Sequence, residues 1–132
     1  MKLLKTTAWG IALSLLLCMS ANLAFANESS VKIEAVDKVE KGREVKIMIH
    51  VSHDGNNFIH HSDLVLVRIN GEEVKRWEFG YFSNPPAEEF SKEITYSADQ
   101  KLEIEAKAYC NIHGSDNTAR KTIDIIPQQT EN

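Results

Sequence analysis

Residues 43–52 read REVKIMIHVS, and their alternation decides the fold class. Val45, Ile47, Ile49 and Val51 fall on one side of an extended chain, and Lys46, Met48, His50 and Ser52 on the other. Successive side chains of a strand point to opposite faces, so the pattern predicts a half-buried β-strand. Residues 101–110, KLEIEAKAYC, repeat it: Leu102, Ile104, Ala106, Ala108 and Cys110 share one face, while Lys101, Glu103, Glu105, Lys107 and Tyr109 share the other. Cys110 therefore ends a predicted strand on its apolar face.

Working outward, further strands are expected at VKIEAV (31–36), DLVLVRIN (63–70), VKRWEFGY (74–81, with Trp77, Phe79 and Tyr81 aligned), EFSKEITYS (89–97) and RKTIDII (120–126). Asn70-Gly71 fits a two-residue hairpin turn that needs positive φ, and Asn84-Pro85-Pro86 breaks the chain into a loop. There is no internal repeat, low-complexity tract, heptad or convincing helix. About seven short strands with regular turn signals predict an all-β, immunoglobulin-like antiparallel β-sandwich. A small barrel is the structural alternative.

Residues 1–26, MKLLKTTAWGIALSLLLCMSANLAFA, have the parts of a secretory signal: Lys2 and Lys5, an apolar centre from Ile11 to Leu17, and a small-x-small end at Ala24-Phe25-Ala26. The apolar run is short for a bilayer span, so no stable membrane insertion is expected after cleavage. A lipoprotein reading through Leu15-Leu16-Leu17-Cys18 is the alternative, though the residues before the cysteine are large. The expectation is an exported, periplasmic protein whose residues 27–132 form one domain. Losing Lys2 and Lys5 leaves 13 basic and 19 acidic residues, a formal charge of −6, which disfavours nucleic acid or anionic membrane as the main partner. Cleavage also removes Cys18. Cys110 is then a lone thiol in an oxidising compartment, where it needs burial, a metal or a partner chain.

The five histidines cluster. His50, His53, His60 and His61 lie in or beside VSHDGNNFIHH, and His113 follows Cys110 in YCNIHG. HDGNNFI is rich in Gly and Asn and reads as a loop, so His53 and His60 can converge at one end of the sandwich. By strand parity His50 faces away from the apolar row and reads as a sheet-surface residue. His60 and His61 project to opposite sides if extended, so one of the two is the expected ligand. Imidazoles and a thiolate suit iron, zinc or copper, whereas calcium or magnesium needs a cluster of oxygens. Asp54, Asp63 and Asp116 read as turn residues. A plainer account makes His53 and His60 solvated loop residues, Cys110 a small buried hydrophobe and His113 a turn residue, but it explains neither the single thiol nor the clustering.

On these residues the chain resembles the superoxide reductases of the desulfoferrodoxin and neelaredoxin group. The resemblance spans roughly residues 43–126 and is carried by His53, His60, Cys110, Asn111, Ile112, His113 and Gly114. It implies an immunoglobulin-like sandwich holding mononuclear non-haem iron, Fe2+ or Fe3+, with imidazoles around the metal and a cysteine thiolate on its axis. It further implies that superoxide, or another small oxidant, is reduced and that an external electron donor resets the iron. Carried over by position, His53, His60 and His113 are the implied imidazole ligands and Cys110 the axial thiolate that tunes the metal.

The chain also departs from that pattern. Six residues separate His53 from His60, one more than the family usually has. No histidine precedes His50, where the family places a fourth imidazole beside a lysine, and Glu40-Lys41-Gly42 puts glycine there. HGSD replaces the usual HGLW. The implied site is thus three imidazoles and a thiolate, completed by water, His61 or His50. Two function classes follow: a superoxide-reductase-like oxidoreductase, or a non-enzymatic periplasmic metal-binding or electron-transfer module. No Ser-His-Asp order, phosphate-binding glycine loop or HExxH zinc motif is present.

Overall fold

The computed structural model describes residues 28–128, so the expected signal at 1–26 lies outside the described residues. Eight strands are formed: β1 (Ser30–Glu34), β2 (Lys38–Glu40), β3 (Glu44–Ser52), β4 (Ser62–Ile69), β5 (Glu72–Glu78), β6 (Glu89–Ser97), β7 (Leu102–Cys110) and β8 (Thr118–Ile126). They divide into a three-stranded sheet, β1-β3-β6, and a five-stranded sheet, β2-β8-β7-β4-β5. All-β architecture in two facing sheets is what the alternation predicts.

Two details differ from the sequence reading. β2 pairs parallel to β8 at the sheet edge, and its three residues, Lys-Val-Glu, are too few to show a period. Asp37, just before it, pairs its carboxylate with Lys121 of β8, and that bond with the lysine charge holds the Asp37 pKa below its ordinary value. The strand expected at 74–81 stops at Glu78, leaving Tyr81 and Phe82 in a turn closed between Gly80 and Ser83. The reason lies in the neighbour. Phe79 N–H donates to Asp63 O (2.8 Å), and β4, which pairs β7 on its other edge, begins only one residue earlier, at Ser62. Beyond Phe79 there is no partner edge left.

The core sits between the facing rows of β3 and β7. Val45, Ile47, Ile49 and Val51 are buried, as are Leu102, Ile104, Ala106 and Ala108, while the alternate residues of both strands stay wet. Val65, Val67 and Ile69 of β4 and Ile123 of β8 complete the cluster. Fully burying such a side chain contributes about 1.5–3 kcal/mol, so a one-residue slip that turned a row to solvent is strongly disfavoured. The β4–β5 turn is the expected type, with φ of 53° at Asn70 and 84° at Gly71; both residues sit in the left-handed region, matching the twist of the strands.

Ile47 is completely buried, so Ile47→Ala is expected to lower stability by about 2–5 kcal/mol. Lys46→Ala on the opposite face is expected to change it by less than about 0.5 kcal/mol. Urea unfolding of the mature chain compares the two.

Candidate metal centre

The alternation that builds the core also delivers the two most buried ligand candidates. His53 follows Ser52 directly and continues the inward row of Val45, Ile47, Ile49 and Val51; its ring is 1% exposed. Cys110 closes the inward row of β7 and is 5% exposed. The two rows come from opposite sheets and run out at the same end, so an imidazole and a thiol cap the hydrophobic core together.

Loop 54–61 brings His60 to them through two asparagines. Asn57 Oδ1 accepts the N–H groups of Ile59 and His60 (2.9 Å each), its N–H donates to His60 O (2.8 Å), and its Nδ2 donates to Gly55 O (2.8 Å). A side-chain amide that mimics a turn is the usual reason for asparagine in such loops. Asn56 fixes His53. Its Nδ2 donates to Ala87 O (2.8 Å) and its Oδ1 accepts from Ser62 N–H (2.8 Å), so the amide orientation is determined. The same Oδ1 lies 2.9 Å from His53 Nδ1. An amide oxygen only accepts, so Nδ1 carries the proton and the lone pair of neutral His53 belongs to Nε2.

The turn after β7 is built around sulfur. Cys110 N–H donates to Gly114 O (2.6 Å) and Gly114 N–H to Cys110 O (3.1 Å); Gly114 has φ of 86°, which the reversal requires. Inside the turn, the N–H groups of Ile112 and His113 both point at Cys110 Sγ (3.4 Å each). Two backbone dipoles thus face the sulfur, the arrangement that supports a metal-bound thiolate. Asn111 joins this turn to the histidine loop: its N–H donates to His61 O (3.0 Å), its Oδ1 accepts from His61 N–H (3.0 Å), and its Nδ2 donates to Ile59 O (2.8 Å).

Among the described residues, His53, His60 and Cys110 form a group whose ligand atoms all lie within 4.8 Å of one another. His113 adjoins it. His60 Nε2 is 3.1 Å from Cys110 Sγ and 3.1 Å from His113 Nδ1, and Sγ is 3.8 Å from His113 Nδ1. Metal bonds of about 2.1 Å to nitrogen and about 2.3 Å to sulfur would set donors at a right angle roughly 3.0–3.1 Å apart, against roughly 3.4–3.6 Å for a tetrahedron. The three spacings, 3.1, 3.1 and 3.8 Å, are short enough for one ion to be shared, and a soft thiolate beside imidazoles is a donor set that takes iron, as it does zinc or copper. The residues fit the metal.

His61 and His50 stand apart from this group. His61 is 5% exposed, but its Nδ1 lies against Asn57 O (3.1 Å) and its backbone is tied to Asn111. His50 faces outward from β3, with Nδ1 2.8 Å from Ser91 Oγ and Nε2 2.9 Å from Glu34 Oε2. Asn56 and Asn57 are the supporting residues that the sequence reading did not single out; for Asn57 the signal was an Asn two or three residues before the N–H groups it accepts, and for Asn56, whose partners are Ser62 and Ala87, there was none.

Comparisons with known proteins bear on the family and the fold. The sequence model of the desulfoferrodoxin family matches residues 25–118. A neelaredoxin superoxide reductase from Ignicoccus hospitalis shares the fold with a TM-score of 0.64 and 23% identity, covering 82% of this chain and 89% of its own. The CARDB domain of a Pyrococcus furiosus protein, in complex with di-metal ions, gives 0.61 and 23%, covering 79% and 98%. Fibronectin(III)-like modules of CbhA from Clostridium thermocellum give 0.55 and 16%, covering 80% and 52%. No curated protein sequence matches the chain.

Asn56→Ala removes the acceptor that fixes the His53 tautomer. It is expected to weaken metal binding about 10–100-fold, read by chelator competition, with the β-sheet circular dichroism unchanged.

Proposed function

The chain belongs to the desulfoferrodoxin family, and on that premise we propose that it is an exported iron protein that reduces superoxide to peroxide. His53, His60, His113 and Cys110 would hold the iron. The observation that carries the reading is His60 Nε2 lying 3.1 Å from both Cys110 Sγ and His113 Nδ1, with His53 in the same cluster. Bound iron would supply the one-electron chemistry, taking its electron from an external donor. The protein's own part is to hold the donors. Asn56 keeps the His53 proton on Nδ1, the Ile112 and His113 N–H groups brace the sulfur, Asn57 shapes the histidine loop, and Asn111 sets its distance from the cysteine turn. Burial of Cys110 also protects a lone thiol from oxidation in the periplasm, the compartment that residues 1–26 indicate.

A second reading, an electron-transfer or metal-binding module without turnover, is favoured by one observation. Residues 53–63, 79–91 and 109–119 contain no Lys or Arg, so nothing cationic on these segments draws in the superoxide anion.

Superoxide kinetics separate the two. Under the first reading, Fe2+-loaded mature protein is oxidised by a superoxide flux at least about tenfold faster than Cys110→Ser, the scale on which changes at a metal site act. Equal rates in the two proteins, with reversible oxidation by a chemical oxidant, would establish the second.

A further inference from the structure

The end of the sandwich that carries the metal centre is apolar and anionic together. Seven large apolar side chains are exposed among the described residues, and five of them, Phe58, Ile59, Tyr81, Phe82 and Ile112, belong to the three loops at this end; Val36 and Ile126 are the others. The three aromatics pack in a row. Phe58 packs edge-on against Tyr81 with ring centroids 4.7 Å apart, and Tyr81 against Phe82 at 5.5 Å. The Asn111 amide bonded to Ile59 O brings the turn that carries Ile112 alongside. Phe82 is 99% exposed and Ile59 61%. Exposed apolar surface of this kind marks an interaction site rather than incidental exposure. His113, itself exposed, sits in the same turn as Ile112, so the edge of the metal centre opens within the patch.

The charge around it selects the occupant. The loop segments 53–63, 79–91 and 109–119 hold Asp54, Asp63, Glu88, Glu89 and Asp116 and no Lys or Arg of their own; Lys92 and Lys107 of the adjoining strands reach only the first ring of a segment, lying over Phe79 (5.5 Å) and Tyr109 (5.0 Å). An anionic bilayer or a second copy of this face would meet like charge. A cationic protein would not. An apolar centre with a charged rim is also how transient protein interfaces are arranged.

We propose that Phe58, Ile59, Tyr81, Phe82 and Ile112 form the docking face for a cationic one-electron carrier protein, with the electron entering at the His113 edge. The inference rests on the metal-centre reading above. One electron passes from the reduced carrier to the oxidised centre; the carrier is oxidised, the centre is reduced, and no atom changes hands.

The test uses the iron-loaded mature chain with a basic monohaem cytochrome c as probe. Association is read by calorimetry, and the thiolate-to-iron absorption is recorded on the same samples. The expected result is a saturable complex that weakens about tenfold or more between about 0.01 and 0.5 M salt and about tenfold in Phe82→Ser and Ile59→Ser, the absorption band being unchanged. An intact band without association overturns the docking inference and leaves the iron reading standing, as does association indifferent to Phe82→Ser. Tighter binding of an acidic carrier, or a dimer dispersed by Phe82→Ser, overturns it too. Loss of the band in the unsubstituted chain overturns the iron reading and this inference with it.

Discussion

Two rows of side chains, pointing into one core from opposite sheets and ending at the same height, are the constraint on which the rest of this structure depends. One row runs from Val45 to Val51 and ends in His53; the other runs from Leu102 to Ala108 and ends in Cys110. Aliphatic burial fixes the register of both strands, and the register fixes where the last residue of each row must point. A buried imidazole and a buried thiol cannot simply be left among valine and alanine, because polar groups taken from water need partners. The loops at that end are shaped by meeting the need: Asn56 Oδ1 accepts a hydrogen bond from His53 Nδ1–H, the turn after β7 aims two N–H groups at sulfur, and His60 is carried to within 3.1 Å of Cys110 Sγ.

Much of this was legible before any coordinates. Period-two patterning announced β3 and β7, the outward position of His50 and the inward position of Cys110, because a half-buried strand writes its burial into its sequence. The hairpin at Asn70-Gly71 was legible for a different reason, the scarcity of residues that accept positive φ. Other features carried no such signal. β2 is held by its edge position and by Asp37 and Lys121 rather than by a period of its own. Tyr81 continues the alternation of Trp77 and Phe79 yet leaves the sheet, because β4 has no edge to offer it. The choice of His60 over His61 also depended on the path of a loop, and that path is set locally by Asn57 and across the molecule by Asn111, whose long-range bonds no local pattern reports.

Charge separates this chain from the simple expectation drawn from its family. Candidate donors gather, three imidazoles and one thiol, but the surrounding loops carry acids and no Lys or Arg of their own, where an anionic substrate would profit from a cation. That combination suits receiving electrons from a cationic partner better than attracting a small anion, and the exposed apolar side chains of these loops, Ile112 next to His113 among them, supply the apolar area such a contact needs. The buried, braced Cys110 sulfur would serve either proposed role, since tuning a metal and protecting the sulfur both follow from burial and N–H donation.

The central claim, that Cys110 and three histidines bind one iron, is tested most directly by iron K-edge X-ray absorption of the iron-loaded mature chain. The account predicts a first shell with a single sulfur and imidazole scattering from three rings, the donors contributed by Cys110, His53, His60 and His113. A shell of light atoms without sulfur would contradict it.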